Sequence, residues 1–208
     1  MPVITISREL GSEGTNIAQM VAAQIGAPCI DKEVLAEMAQ QAGISVQVMA
    51  AAEEQLLARP IGVSDEMRAF WSARRGKGVL SEAQFVQHLT AALRLLAAQE
   101  NVVFVGRGAQ VVLRDHPGAL HVHLYAPLDA RAARIQQQRN LPALETAQQI
   151  IRKADEQRRD WFRHFFRGVD WKSPKHYHLL IDTARIPPKP ATALIVQAAQ
   201  ATPQPATA

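Results

Sequence analysis

The sequence predicts a single α/β domain built on a parallel sheet, and three observations support this prediction. Short β-branched apolar segments alternate with longer helical segments along most of the chain, which is typical of parallel sheets covered by helices on both faces. A glycine-rich turn follows the first apolar segment and opens the first helical one. The length of 208 residues suits one domain that carries an insertion.

Composition excludes several other classes of protein. The single cysteine rules out a disulfide-stapled miniprotein and a cysteine-based zinc site. The chain starts with neither a basic region nor a long apolar stretch, so no signal peptide is expected. No segment approaches ~18 uninterrupted apolar residues, so no transmembrane helix is expected. We therefore expect a soluble cytoplasmic protein with no membrane partner. The formal net charge of +4 is only mildly basic.

The chain opens with a strand, a glycine turn, a helix and a second strand. Residues 3–7 are apolar and β-branched, which predicts a buried strand. Residues 17–25 carry apolar side chains at helical spacing, and a glycine and a proline end the predicted helix. Residues 29–30 form a short second strand that runs into Asp31. This order is a βαβ opening.

The remaining elements continue the alternation. The stretch 32–99 is rich in Ala, Gln and Glu and is predicted to be a helical insertion. Further strands are predicted at 102–105, 121–125 and 179–181, and helices at 129–139 and 146–166. The domain is expected to span 1–186, followed by a Pro/Ala-rich tail at 187–208 with one short helix at 191–201 before a disordered end.

The glycine turn at residues 7–17 lies where α/β proteins bind phosphate. Glycines let the backbone approach an anion, and the N-terminus of a helix offers unpaired N–H groups. Neither the G-x-x-x-x-G-K-[ST] pattern nor the G-x-G-x-x-G pattern is present. From spacing alone, a plain turn and a phosphate-binding loop are both open.

Several ordered blocks resemble the cytidylate kinase-like family, a branch of the P-loop nucleoside monophosphate kinases. The first blocks are Ser7-Arg8-Glu9, Gly11-Ser12-x-Gly14, Ile17-Ala18 and Asp31-Lys32-Glu33. Later blocks lie at 103–109, at 122–134 and between 155 and 183, so the resemblance covers most of the chain. It implies a P-loop kinase-like parallel sheet flanked by helices, with an acceptor-binding insertion at about 32–99 and a lid at about 131–168.

The resemblance also implies an activity: phosphoryl transfer from ATP, with Mg²⁺, to a pyrimidine monophosphate such as CMP. It assigns donor phosphate binding to Gly11, Ser12, Gly14, Thr15 and Asn16. The loop departs from the family pattern, because Glu13 stands where a small residue is usual and no lysine follows Gly14. Arg8 could supply the missing cation, or it could be structural and pair with Glu9 or Asp182.

Arginines are the other candidate site residues, because phosphoryl transfer depends on positioning and charge neutralisation and a guanidinium binds two phosphate oxygens at once. The resemblance makes Arg8, Arg131 and Arg134 the catalytic candidates. It assigns acceptor binding to Asp31, Lys32, Arg107, Asp155 and Arg158.

Each of these residues also has a structural interpretation. Asp31 could cap the helix that follows it, and Arg107 could form an ion pair. Arg131 and Arg134 could lie on a solvated helix face, and Asp155 with Arg158 could be an ordinary i,i+3 pair. The aromatic residues at 161–166 are predicted to be core.

Two rival functions remain open at this point. The first is a kinase-fold protein that binds a nucleotide or another phosphorylated ligand without catalysis. The second is a nucleic-acid-associated protein, which is disfavoured because the arginines fall at lid positions and do not form one continuous stripe. His121 and His123 are too few ligands for a metal site, so none is expected. The expected partners are nucleotides.

Overall fold

The computed structural model describes residues 2–31, 34, 82–99 and 101–203. Within them, five parallel strands form one sheet in the order β2-β3-β1-β4-β5. The strands are β1 (Val3–Arg8), β2 (Cys29–Ile30), β3 (Val102–Val105), β4 (Ala119–Tyr125) and β5 (Leu179–Asp182). The helices are α1 (Gly14–Ile25), α2 (Glu82–Ala97), α3 (Ala109–Val112), α4 (Leu128–Arg139), α5 (Leu144–Phe165) and α6 (Pro188–Ala201), with a 3₁₀ turn at Pro174–His176. The predicted parallel α/β architecture is confirmed.

Helices cover both faces of the sheet. Ile4 and Ile6 of β1 pack with Ile17 of α1 and Ile195 of α6. On the opposite face, Val3 belongs to a second core that contains aromatic side chains of α2 and α5. Because successive side chains of a strand point to opposite faces, one apolar strand supplies both cores.

Helices α4 and α5 make up most of the region predicted as a lid. They pack on each other through Ala132 and Ile135 of α4 and Ala147 and Ile151 of α5, all nearly inaccessible to solvent. This small third core holds the two arginine-bearing helices as one unit, so their side chains reach the sheet edge from fixed positions.

Helix α6 lies in the stretch predicted as a tail. Its residues Ala191 and Ile195 are fully buried, and the helix packs against α1 in the core that contains Ile4 and Ile6 of β1. The predicted helix is therefore present, begins at Pro188, and contributes to the folded domain. Of the predicted insertion at 32–99, only Val34 and residues 82–99 are described.

Two details of the elements differ from the sequence prediction. Strand β4 begins at Ala119, two residues earlier than predicted. Helix α3 was not predicted, because four residues are too few to display a helical period. In the described part of the chain, no helix is both long and apolar enough to cross a membrane.

Candidate functional site

Polar side chains gather at the carboxyl edge of the sheet, the edge where open parallel sheets bind ligands. A cavity of about 590 Å³ opens there, beside the ends of β1 and β3. Its polar lining includes Ser7, Arg8, Arg107, Gln110 and Arg158. We call this space the acceptor cavity.

A second cavity of about 300 Å³ lies along the glycine turn, and we call it the donor cavity. Four of the five predicted donor residues line it: Gly11, Gly14, Thr15 and Asn16. The first turn of α1 receives no side-chain cap from the described residues, so its N–H groups are available to an anion.

Ser12 is the fifth predicted donor residue, and it lies elsewhere. It is fully buried, and its hydroxyl donates to the carbonyl oxygen of Glu9 at 2.8 Å. Its backbone N–H donates to the same oxygen at 3.2 Å. Ser12 therefore closes the turn from inside, and its contact with phosphate stays a prediction.

Arg8 runs between two glycines and reaches both cavities. A Cβ atom on Gly14 would lie 2.3 Å from Cβ of Arg8, and a Cβ atom on Gly106 would lie 2.4 Å from its Nη1. Both glycines are thus required for the path of this side chain. Burial, followed by the charges of Arg158 and Arg107, lowers the pKa of Arg8 to about 10. Arg8 is still a cation at neutral pH.

Arg158 is the second residue that lines both cavities. Its Nη1 donates to the carbonyl oxygen of Arg8 at 2.6 Å, and its guanidinium stacks over the ring of Trp171 at 5.0 Å. Burial lowers the pKa of Arg158, while the carboxylates of Asp155 and Glu9 oppose that effect. Two partly desolvated cations therefore meet between the cavities, where a bound anion would relieve their repulsion.

Arg107 lines the acceptor cavity, as its position in a glycine turn suggested. Its backbone has a positive φ of 57°, and its guanidinium lies 5.9 Å from the ring centre of Trp161. Trp161 and Phe162 are buried, as predicted for core residues, and both also border the cavity.

Asp31 acts as a helix cap. Its Oδ1 accepts a hydrogen bond from the backbone N–H of Val34 at 3.0 Å, which matches the alternative of an N-cap. Its charge also favours the protonated form of Arg8, so it lies close to the site. Lys32 lies outside the described residues.

Arg131 and Asp155 do not face the cavities. Arg131 is 5% exposed, its Nε donates to the carbonyl oxygen of Ala126 at 3.0 Å, and its Nη2 lies 3.2 Å from Oδ2 of Asp155. Glu9 and Lys172 complete this buried charge network. Each charge is thus neutralised within the protein in this structure, and the catalytic role of Arg131 and the acceptor role of Asp155 stay predictions.

Arg134 is also engaged by the protein. Its Nη1 donates to the carbonyl oxygen of Gly11 at 3.0 Å and to the hydroxyl of Thr183 at 3.1 Å. Its Nη2 donates to the carbonyl oxygen of Thr183 at 2.7 Å. The structural alternative of a solvated helix face is therefore wrong, and the catalytic role of Arg134 stays a prediction.

Glu13 occupies a strained position at the donor cavity. Its backbone is left-handed, with φ 60° and ψ 13°, a conformation that costs a non-glycine residue ~1–2 kcal/mol. Its carboxylate accepts hydrogen bonds from Nδ2 of Asn16 at 3.3 Å and Nε2 of Gln138 at 3.2 Å. The departure seen in the sequence therefore places a negative charge beside the phosphate-binding loop.

A profile described as the cytidylate kinase-like family matches residues 3–185. The chain belongs to the cytidylate kinase-like family. A search of curated protein sequences finds no match. Among solved structures, an uncharacterized protein from Eubacterium ventriosum shares 19% identity, with 96% of this chain and 98% of that chain covered and a TM-score of 0.70.

Kinases are also among the similar solved structures. A shikimate kinase from Acinetobacter baumannii shares 15% identity, with 97% and 94% of the two chains covered and a TM-score of 0.47. A gluconokinase from Sinorhizobium meliloti 1021 shares 16% identity, with 96% and 90% covered and a TM-score of 0.46. The fold class expected from the sequence is confirmed by the family match over residues 3–185 and by the five-stranded parallel sheet.

In this family member, a series of hydrogen bonds lies next to the acceptor cavity, and its residues were not identified as site residues from the sequence. Nε2 of Gln110 donates to the hydroxyl of Tyr177 at 3.2 Å, and that hydroxyl donates to the carbonyl oxygen of Trp171. Burial raises the pKa of Tyr177 to about 12, although hydrogen bonds with Ser7 and Gln110 act against it. The sequence could not show these hydrogen bonds, because single polar residues in separate segments give no indication that they are neighbours in the fold.

Two buried histidines lie on β4, beneath the site of this family member. His121 shares a 2.8 Å hydrogen bond with Thr5 and stacks on His178, and His123 stacks on Tyr177. Burial is the main cause that lowers the pKa of each to about 4. Among the residues placed by the structure, no group of three or more His, Cys, Asp or Glu side chains is arranged to hold a metal ion.

Proposed function

We propose that this protein is a phosphotransferase that moves a phosphoryl group from ATP to a pyrimidine monophosphate such as CMP. The observation that carries the proposal is that Arg8 and Arg158 line both the donor and the acceptor cavity. A phosphoryl group in transfer passes between two such sites and spreads negative charge over its oxygens.

The residues divide the work by position. The N–H groups at the start of α1 bind the donor phosphates, and Arg107 binds the phosphate of the acceptor beside the rings of Trp161 and Phe162. A phosphate oxygen of CMP attacks the γ-phosphorus, the bond to the β-phosphate oxygen breaks, and ADP and CDP leave. Arg8 and Arg158 neutralise the group in transit, which is the task that the absent loop lysine performs elsewhere.

The donor site offers few ligands of its own to Mg²⁺, which prefers oxygen atoms. Thr15 brings a hydroxyl to the donor cavity. The carboxylate of Glu13 is already held by two amide groups. Mg²⁺ would therefore arrive on the phosphates of ATP and neutralise part of their charge, with Thr15 as the protein ligand.

Binding without catalysis is the second candidate function, and Glu13 is the observation that favours it. A carboxylate at the donor cavity opposes a triphosphate, whereas the lining of the acceptor cavity has three arginines against one carboxylate, Asp160, which is paired with Arg163 at 3.6 Å. A phosphorylated ligand could then bind the acceptor cavity alone.

Steady-state kinetics of the full chain with ATP, Mg²⁺ and CMP tests the first proposal. The Arg8→Ala variant should lower kcat by ~10³-fold or more and change the affinity for CMP far less. Arg114→Ala is the matched control, because it removes the same charge from a side chain that is 74% exposed. If the parent protein turns over no nucleotide pair while CMP still raises its melting temperature, the second candidate replaces the first.

A further inference from the structure

We propose that Arg131 and Arg134 are positioning residues that hold the glycine loop in the conformation that binds the donor phosphates. This inference rests on the proposed function, because it concerns the same donor site. It gives a role in the reaction to two arginines whose guanidinium groups are already bonded to other residues of the protein.

Backbone carbonyl groups of the glycine loop are bonded to other groups of the protein. Each of the four consecutive carbonyl oxygens of residues 8–11 accepts a hydrogen bond from within the protein. In order, the donors are Arg158 at 2.6 Å, the hydroxyl of Ser12 at 2.8 Å, Nη1 of Arg131 at 3.4 Å and Nη1 of Arg134 at 3.0 Å.

The direction of these carbonyls decides what the loop can bind. A carbonyl oxygen carries a partial negative charge, so one that faced the donor cavity would repel phosphate. When the carbonyl oxygens of Leu10 and Gly11 accept hydrogen bonds from the arginines, the backbone contributes the N–H groups at the start of α1 to the cavity instead of carbonyl oxygens. The positive φ of 81° at Gly11 permits this turn of the backbone.

Both guanidinium groups are themselves anchored. Arg131 is held by the carbonyl of Ala126 and by Asp155, and Arg134 is held by two bonds to Thr183. These anchors belong to the end of β4, to α5 and to the turn after β5. The loop conformation is thus tied to three elements of the fold through two side chains.

Close packing makes the loop and α4 a single unit. A Cβ atom on Gly11 would lie 2.8 Å from the carbonyl oxygen and 3.0 Å from Cβ of Arg131. Backbone of the loop therefore touches backbone of the helix that presents both arginines, so a change in one arginine is transmitted directly to the loop.

The test measures anion affinity apart from turnover. Titration calorimetry of the full chain with inorganic tripolyphosphate, with Mg·ATP and with CMP is carried out on the parent, Arg134→Ala, Arg134→Lys and the control Arg114→Ala. Losing the charged hydrogen bond should weaken tripolyphosphate and ATP binding roughly 10- to 100-fold. Lysine can keep one donor on Gly11 and should restore part of the loss, and in kinetics the KM for ATP should rise more than kcat falls.

CMP binding separates positioning from a general loss of structure. The proposal is supported if Arg134→Ala weakens tripolyphosphate binding while CMP affinity stays within about twofold. It is overturned if tripolyphosphate binds both proteins equally, if CMP affinity falls by the same factor, or if the parent binds no tripolyphosphate. Should Arg134→Ala fail to fold, the same criterion is applied to Arg134→Lys and to Thr183→Val, which removes the hydroxyl that anchors Arg134 and also bonds Tyr125. A parent that binds tripolyphosphate but shows no turnover would refute the proposed function, and the variant comparison would still decide the inference.

Discussion

Replacing Glu13 by glutamine is expected to tighten the binding of ATP. The carboxylate lies at the donor cavity, held by Asn16 and Gln138, so it faces the phosphates of any bound triphosphate. At a separation of roughly 5 Å, one unit of like charge costs about 1 kcal/mol in water and about 3 kcal/mol at an effective dielectric constant near 20. Removing the charge should therefore raise the affinity for ATP about 5-fold to about 150-fold.

The Glu13→Gly variant separates charge from backbone strain. Glutamine keeps the side chain at the left-handed φ of 60°, whereas glycine removes both the charge and the strain. Relief of the strain should stabilise the folded protein by ~1–2 kcal/mol, and the added freedom of glycine should stabilise the unfolded chain by ~0.5–1 kcal/mol. Because these effects oppose each other, the free energy of unfolding should change little. Equal gains in ATP affinity for the two variants would identify charge as the cause.

Titration calorimetry with Mg·ATP at low and at high ionic strength is the assay. The difference between parent and Glu13→Gln should shrink in high salt, because the carboxylate is only half-buried and is screened. The reasoning is refuted if Glu13→Gln binds ATP no tighter than the parent. Weaker binding would mean that the carboxylate holds the metal ion.

Three further outcomes are expected. Arg107→Ala should weaken CMP binding about 100-fold by loss of a charged bidentate contact, with little change in melting temperature; an unchanged Kd would contradict its acceptor role. Burial lowers the pKa of His121 and His123 to about 4, so the unfolded chain takes up protons at a higher pH than the folded protein does. The free energy of unfolding should therefore fall by up to about 3 kcal/mol for each histidine as the pH falls from 6.5 to 4. Urea unfolding that gives the same free energy across this range would disprove it. Arg131→Met should destabilise the protein by ~3 kcal/mol or more because it leaves the carboxylates of Glu9 and Asp155 with the half-exposed Lys172 as their remaining partner in this network, whereas Arg114→Ala should not, and chemical denaturation of the two variants checks the contrast.

Sequence patterns were sufficient to predict the sheet and most of its helices. Buried parallel strands need short β-branched apolar runs, and the runs at 102–105 and 179–181 coincide with β3 and β5 within one residue. Local signals failed where an element is short, as with α3, since four residues do not reveal a period. They also could not show that α6 is held in place by α1, because that depends on packing between distant segments.

Only some features of the candidate site could be predicted from the sequence. Arg107 and the glycine loop were found from sequence because a glycine turn directly after a buried strand must emerge at the ligand edge of the sheet. The sequence could not show that Arg131 and Arg134 are bound to other parts of the protein, since an arginine on a helix looks the same in sequence whether its charge is available or already paired. Their partners Asp155 and Gly11 lie 24 and 123 residues away.

By itself, the sequence determined which segments are strands, where the glycine turn lies and which arginines are candidates for the site. These properties follow from local spacing and from the edge at which parallel strands end. Only the tertiary structure decided which arginines are available to a ligand. Arg8 and Arg158 remain between two cavities, while Arg131 is neutralised by Glu9 and Asp155, because charge pairing depends on distances of a few ångströms between residues that the chain keeps far apart.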